Sequence, residues 1–295
     1  MSSKIIIPES VRALCETNIG DFFREVRPGA TITTVSDFLD EDKSHIHATN
    51  IQKFIQLRER KFLEIGSGYG VNLAVFIKTY GVDGFGVEPE SPDFRGGVGA
   101  SKELFRINGM DPNRIVTAFG ENLPFDDETF DIVYSCNVLE HTKDPEQVLR
   151  EAIRVLRPHG ILHMEYPNHL SYLEGHYLIL QPPLFARWVL PFVLRVFYRR
   201  NNEYAKTLQT QINPIWTKKA IERIAEEFPV DLISQGEEFF LERMRSSVEF
   251  EARQVELEIG SKVRIIQRFN YGNWIGKLIV RLKGHFPIYL TVRKK

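Results

Sequence analysis

Lys61-Phe62-Leu63-Glu64-Ile65-Gly66-Ser67-Gly68-Tyr69-Gly70 decides how this chain of 295 residues is read. An apolar run carrying one acid ends in glycines at alternate positions, Gly66, Gly68 and Gly70. Glycine reaches backbone conformations with positive φ and lets a ligand lie against the main chain. A buried strand that passes through such a turn into a helix presents backbone N–H groups at the helix N-terminus, the form of a nucleotide site. The spacing does not complete the dinucleotide fingerprint G-x-G-x-x-G/A, because Val71 stands at its last position.

Working outward, Val71 to Tyr80 has helical apolar spacing, and Phe85-Gly86-Val87-Glu88 is a second strand ending in an acid. A helix is expected over Ser91–Met110, a third strand over Arg114–Ala118 and a fourth over Phe130–Ser135. Pro145 to Leu156 is a helix with proline in its first turn, broken by Arg157-Pro158-His159-Gly160, and Ile161–Tyr166 is a fifth strand. Strands alternating with helices at this spacing imply βαβ units and a mostly parallel sheet covered on both faces. Before this core, helices are expected at Pro8–Phe23 and Asn50–Leu57. After it, residues 168–214 fit no βαβ unit. A helix over Thr217–Phe228, a strand over Val230–Ile233, a largely helical stretch over 246–284 and a final strand over Phe286–Arg293 complete the chain.

Composition is that of an ordinary globular protein, 43% hydrophobic and 26% charged, with net charge −1. Near-neutral charge argues against a nucleic-acid binder held by phosphate neutralisation. Two cysteines, Cys15 and Cys136, make no disulfide framework, and the first residues carry no signal-peptide pattern, so a cytoplasmic compartment is expected.

Four segments together carry a family resemblance: Glu64 to Gly70; Val87-Glu88-Pro89; Glu121 to Phe125 with Phe130 to Val133; and Asn137 to His141 continuing through Asp144-Pro145 to Gly160. They resemble the class I S-adenosylmethionine-dependent methyltransferases of the small-molecule, type 11-like group. That resemblance implies a Rossmann-like α/β fold: a seven-stranded, mostly parallel sheet with the last strand antiparallel, carrying helical cap insertions. With the reading of the flanking segments, the chain is expected to divide into an N-terminal helical segment 1–57, a cofactor-binding core 58–167, a cap or lid 168–214, and a C-terminal part 215–295 with the insertion 246–284. The resemblance implies S-adenosyl-L-methionine as cofactor, held by Glu64 and the Gly66-Ser67-Gly68-Tyr69-Gly70 backbone, with Glu88 and Pro89 at the ribose diol. Phe119, Gly120 and Glu121 fall at the adenine and Asn137 at the end of the fourth strand. The family often has an aspartate where Phe119 stands, and its Pro-Gly-Gly turn reads Pro158-His159-Gly160 here.

Methyl transfer to oxygen requires a proton acceptor near the methyl, and His141, just after the fourth strand, is the catalytic candidate. The run Ser135 to His141 resembles that of ubiquinone-pathway O-methyltransferases, where an earlier acid joins the Glu-His pair on a divalent metal. Asn137 replaces that acid, so no metal is expected. His169, Tyr172, Glu174, His176 and Tyr177 follow the fifth strand and are candidates for the acceptor pocket. Arg187, Pro191, Arg195 and Arg199 recur four apart through an apolar segment too short and interrupted to span a membrane. That pattern fits a lid over an apolar pocket, or a helix lying at a membrane surface. Either points to a sizeable or partly apolar acceptor; a small-molecule, glycan or lipid-linked acceptor is expected, with peripheral membrane contact as a further expectation. Two other readings stand beside the methyltransferase: a module that binds the cofactor without turnover, and a nicotinamide-dependent oxidoreductase, against which Val71 and the Leu123-Pro124-Phe125 segment count.

Overall fold

The computed structural model describes residues 4–26, 39–90, 96–171, 173–174, 179–180, 190–197, 199, 212–245 and 274–295. In chain order the elements are α1 (Glu9–Val26), α2 (Glu41–Gln52), β1 (Lys61–Ile65), α3 (Val71–Tyr80), β2 (Asp83–Glu88), α4 (Gly97–Ile107), β3 (Ile115–Thr117), β4 (Phe130–Cys136), α5 (Pro145–Arg154) and β5 (Leu156–Tyr166). There follow β6 (Leu173–Glu174), β7 (Ile179–Leu180), α6 (Leu190–Val196), α7 (Pro214–Ile224), β8 (Val230–Ser234), α8 (Glu237–Arg245), α9 (Trp274–Arg281) and β9 (Ile288–Lys294).

Seven strands form one sheet in the order β3-β2-β1-β4-β5-β9-β8. β1 to β5 run parallel, and β9 lies antiparallel between β5 and β8. This is the Rossmann-like arrangement expected from the sequence. Strand alternation sorts the core into two layers. Phe62, Ile132 and Tyr134 point into one layer with Leu73, Phe76, Leu104 and Phe105 from α3 and α4. Leu63, Ile65, Val133 and Leu162 point into the other with Val148, Leu149, Ala152 and Ile153 from α5. Fully burying each such branched or aromatic side chain contributes roughly 1.5–3 kcal/mol, which is why β1 and β4 read as almost unbroken apolar runs.

The helices stop and start on local chemistry. Asp144 accepts from the Gln147 N–H and Pro145 opens α5. Asn213 accepts from the Ile215 and Trp216 N–H groups and Pro214 opens α7, three residues earlier than the apolar spacing suggests. The helix expected over Asn50–Leu57 is instead α2, Glu41–Gln52, capped by Asp40. Its buried face is Ser44, Ala48, Asn50 and Ile51. Small and polar residues there leave no large apolar stripe to detect. α5 ends at Arg154, and Arg157–Gly160, expected to break the helix, instead lies within a bulged start of β5: Phe130 pairs with Leu156 while Ile132 pairs with Ile161. Of the helical stretch expected over 246–284, Trp274–Arg281 is helical, and residues 246–273 lie outside the described residues.

The chain beyond β5 leaves and re-enters the core through a narrow neck. The His169 N–H donates to the Ile212 carbonyl, and the Ile212 N–H returns a bond to His169 Nδ1, both at 3.0 Å. Next to it, Asn168 Nδ2 donates to the carbonyls of Lys283 and His285, each at 2.7 Å.

Candidate functional site

The sheet order reverses between β1 and β4, and the crevice at the carboxyl ends of strands at such a point is where open α/β sheets take ligands. The 66–70 turn closes that end of β1. Gly66 and Ser67 donate to the Val87 carbonyl at 2.8 and 3.1 Å, and the Gly70 N–H donates to the Ser67 carbonyl at 2.8 Å, which starts α3. Gly66 has φ +74°, and a Cβ on it would lie 2.1 Å from Cγ2 of Val138, two residues after the end of β4. Gly68 has φ +53° and nothing within 4 Å of where its Cβ would be. The turn is therefore tight against protein at Gly66 and open at Gly68. Ser67 is buried with its side chain over β2, so close that a Cβ at Gly86 would meet its Oγ at 2.8 Å.

Two acids flank the turn. Glu64, 2% exposed, shares the sheet face of Phe62. Its carboxyl is bonded by the Asn72 side chain and the Leu73 N–H, yet its Oε2 has no partner. Burial pushes its pKa up to about 8, the Asn72 bond opposing and the neighbouring Glu88 adding to the rise. Glu88 ends β2 and its Oε2 accepts from the Gly68 N–H at 2.8 Å. Burial raises it to about 7 against that hydrogen bond. Carboxyl groups held this far above their ordinary range at a cleft mark a functional site when a ligand supplies the missing charge or donors.

Tyr69 is buried beneath α1, with its hydroxyl accepting from Asn18 Nδ2 at 3.2 Å and its pKa raised to about 12 by burial. Its side chain thus ties the turn to the N-terminal helix. Pro89 is half-buried after Glu88. Phe119 is 58% exposed, while Gly120 is buried against Ile65 and Val148. The Glu121 carboxylate accepts from the Lys143 and Asp144 N–H groups at 3.0 and 3.5 Å. That side chain braces the start of α5. Arg154 rivets the following loop, donating to the carbonyls of Leu123 and Phe125 and to Asp127, while Glu151 accepts from the Leu123 N–H.

Asn137, exposed after β4, has φ +53° and donates its N–H to the Glu165 carbonyl at 2.8 Å. His141 lies in the one-turn helix Leu139–His141. Its side chain is 39% exposed, with Nε2 at 3.8 Å from Oε1 of the buried Glu140. His169 is buried in the neck. Glu174 lies in β6, paired with Ile179 of β7. Tyr172, His176 and Tyr177 lie outside the described residues. The sequence reading passed over Asn72 and Ser44. Ser44 Oγ donates to Asn72 Oδ1 at 2.6 Å, so a chain of contacts runs from α2 through Asn72 to Glu64. The only signal was a polar residue, Asn72, in the first turn of an otherwise apolar helix.

Comparison with known proteins gives the class. Residues 63–164 match the methyltransferase domain family. The chain is 32% identical over 150 residues to an uncharacterized methyltransferase of Mycobacterium sp. (strain JLS), covering 50% of this chain and 56% of that protein. It is 34% identical over 150 residues to the uncharacterized methyltransferase ML2584 of Mycobacterium leprae (strain TN), covering 50% and 53%. The chain thus spans about half the length of the curated relatives it matches. Among solved structures, an S-adenosylmethionine-dependent methyltransferase from Mesorhizobium loti aligns with TM-score 0.51 at 13% identity, covering 83% of this chain and 96% of that one. The [4+2]-cyclase SpnF aligns with TM-score 0.51 at 14% identity, covering 97% and 94%. These structural likenesses concern the fold alone. Residues 63–164 thus carry the match to a methyltransferase domain, on a fold shared with an S-adenosylmethionine-dependent methyltransferase.

Among the described residues no helix is long and apolar enough to cross a membrane.

Proposed function

We propose that the chain transfers a methyl group from S-adenosylmethionine to an oxygen of a small-molecule, glycan or lipid-linked acceptor. The observation that carries this is the buried Glu64 carboxyl with its unpartnered Oε2, set across the Gly66–Gly70 turn from Glu88. A cofactor with an ammonium group and a ribose diol supplies what each acid lacks. Glu64 holds the ammonium. Glu88, already fixed by Gly68, turns its other oxygen to the diol, since a carboxylate accepts through both. The open space over Gly68 gives the cofactor its path along the backbone. Gly120 and the backbone beside it serve the adenine, with Phe119 available to pack on the ring, and Asn137 borders the donor at the end of β4.

When bound, S-adenosylmethionine supplies an electrophilic methyl group on a sulfonium. The protein's share is to align the acceptor oxygen and to exclude water. His141 takes the acceptor's proton, with the buried Glu140 carboxyl beside it favouring the imidazolium so formed. His169 and Glu174, with Tyr172, His176 and Tyr177, border the acceptor. Residues 168–214 and 246–284 form a cap over it.

A partly apolar acceptor agrees with the outer faces of two helices. Phe192, Val196 and Phe197 in and just after α6, and Trp274 and Leu278 in α9, are exposed beside Arg195, Lys277 and Arg281. The same faces suit peripheral contact with an anionic membrane. Co-sedimentation with anionic vesicles at low salt tests that contact, and absence of binding removes it.

The activity is tested by calorimetric titration with S-adenosylmethionine and with NAD, and by radiolabelled methyl transfer into cell extract. Binding of the first cofactor and label incorporation that both fail in Gly68→Arg support the reading. Tight binding with no incorporation from any extract, or preference for NAD, overturns it.

A further inference from the structure

Away from the Glu140–His141 pair, three chemically distinct donors meet at the top of the sheet. His47 comes from α2, Cys136 is the last residue of β4, and Glu165 is its register partner on β5. Glu165 Oε2 lies 3.3 Å from His47 Nδ1, and Cys136 Sγ lies 3.9 Å from His47 Nε2. One ligand atom from each residue falls within 4.8 Å of the other two. Ligands at ~2.0–2.3 Å from a tetrahedral Zn²⁺ stand roughly 3.3–3.8 Å from one another. The cluster is within about an ångström of that spacing.

We infer that His47, Cys136 and Glu165 form a binding site for a divalent transition metal of the zinc type. The donor set argues for this class. One thiolate, one imidazole and one carboxylate suit Zn²⁺ or Co²⁺, whereas Mg²⁺ and Ca²⁺ take oxygen ligands. The positions are also rigid. Each ligand stands on a helix or an inner strand, and the Asn137 N–H bonded to the Glu165 carbonyl fixes the strand end. The local charge points the same way. The acids Glu165, Glu140 and Glu64 act electrostatically on the Cys136 side chain, an environment that suits a dication, the thiol proton leaving to solvent as the ion binds. Three protein ligands leave a fourth tetrahedral position for water or another oxygen or sulfur donor. The site is separate from the position where the resemblance to O-methyltransferases placed a metal, and it does not depend on the chain being a methyltransferase.

The test is titration of the reduced, chelator-stripped full chain with Co²⁺, followed by absorbance. The expected result is saturation at one ion per chain with a thiolate-to-cobalt charge-transfer band, reversed by Zn²⁺. Cys136→Ser should abolish the band. His47→Ala and Glu165→Gln should each weaken binding by at least the ~10–100-fold that loss of even an outer partner costs. Circular dichroism shows whether each variant remains folded. The unmodified chain decides the matter should one of them fail. Absence of stoichiometric Co²⁺ binding, binding without the charge-transfer band, or affinity unchanged in folded Cys136→Ser overturns the inference.

Discussion

Glu64→Gln separates what this residue costs the fold from what it gives the ligand. In the unliganded protein the Glu64 carboxyl is held at about 8 against an ordinary 4.5, chiefly by burial. A folded-state value above the unfolded one means that the unfolded chain carries fewer protons between the two. Stability therefore falls as pH rises from ~4.5 to ~8 and stays low above that range. At about 1.4 kcal/mol per tenfold change in proton activity, the full loss is on the order of 5 kcal/mol. Glu88, raised to about 7, adds a loss of the same sign that ends lower on the pH scale. Glutamine has no charge to desolvate, so the variant should lose only the Glu88 part. Urea unfolding of both proteins across this range, without cofactor, reads the difference directly. The gap should open with rising pH until the variant is the more stable protein at the alkaline end. S-adenosylmethionine affinity should move the other way, rising with pH in the parent and staying weak in the variant, with only the smaller rise that Glu88 supplies. Parallel stability curves for the two proteins would refute the assignment of a strained, ligand-awaiting carboxyl to Glu64.

Three further outcomes are expected. Gly66→Ala should destabilise the fold by about 2–5 kcal/mol, from left-handed backbone strain plus overpacking on Val138, whereas Gly68→Ala should cost only the ~1–2 kcal/mol of backbone strain yet weaken cofactor binding; thermal unfolding and calorimetry on both variants check this contrast. Arg154→Ala removes charge-assisted bonds to the 123–127 loop and should cost on the order of 2–3 kcal/mol, read by urea unfolding. His141→Ala should leave S-adenosylmethionine affinity unchanged while lowering kcat by ~10²–10⁴, measured with the acceptor found in extract.

The core was legible because its chemistry is local. The strand pairs, the 66–70 turn, Glu88 at the end of β2 and the capped helix at Pro145 each lie within a few residues of their own signal. Glu64 could be singled out as an acid in an apolar run. Its unpartnered oxygen could not, since that depends on Asn72 and Leu73 filling only part of its shell. Residues whose roles depend on distant segments were read poorly or passed over. Ser44 meets Asn72 across 28 positions, and His47 meets Cys136 across 89. α2 was misplaced because a helix that buries serine, alanine and asparagine has no apolar period to find. Glu121 illustrates the reverse: a family position was legible, but its carboxylate is spent on Lys143 and Asp144.

The neck at Asn168, His169 and Ile212 constrains how the segments beyond β5 could be exchanged. Because one asparagine side chain grips the carbonyls of Lys283 and His285, the stretch leaving β5 and the stretch approaching β9 are sewn to the core at one seam. An exchange of either stretch alone with a relative would cut that seam and strand the partner groups on the other side. The two would have to be transplanted together, as one cassette, with Asn168 and the His169–Ile212 pair kept as its joint. The continuous run from β1 to β5, which carries the match to a methyltransferase domain, would cross such a graft untouched.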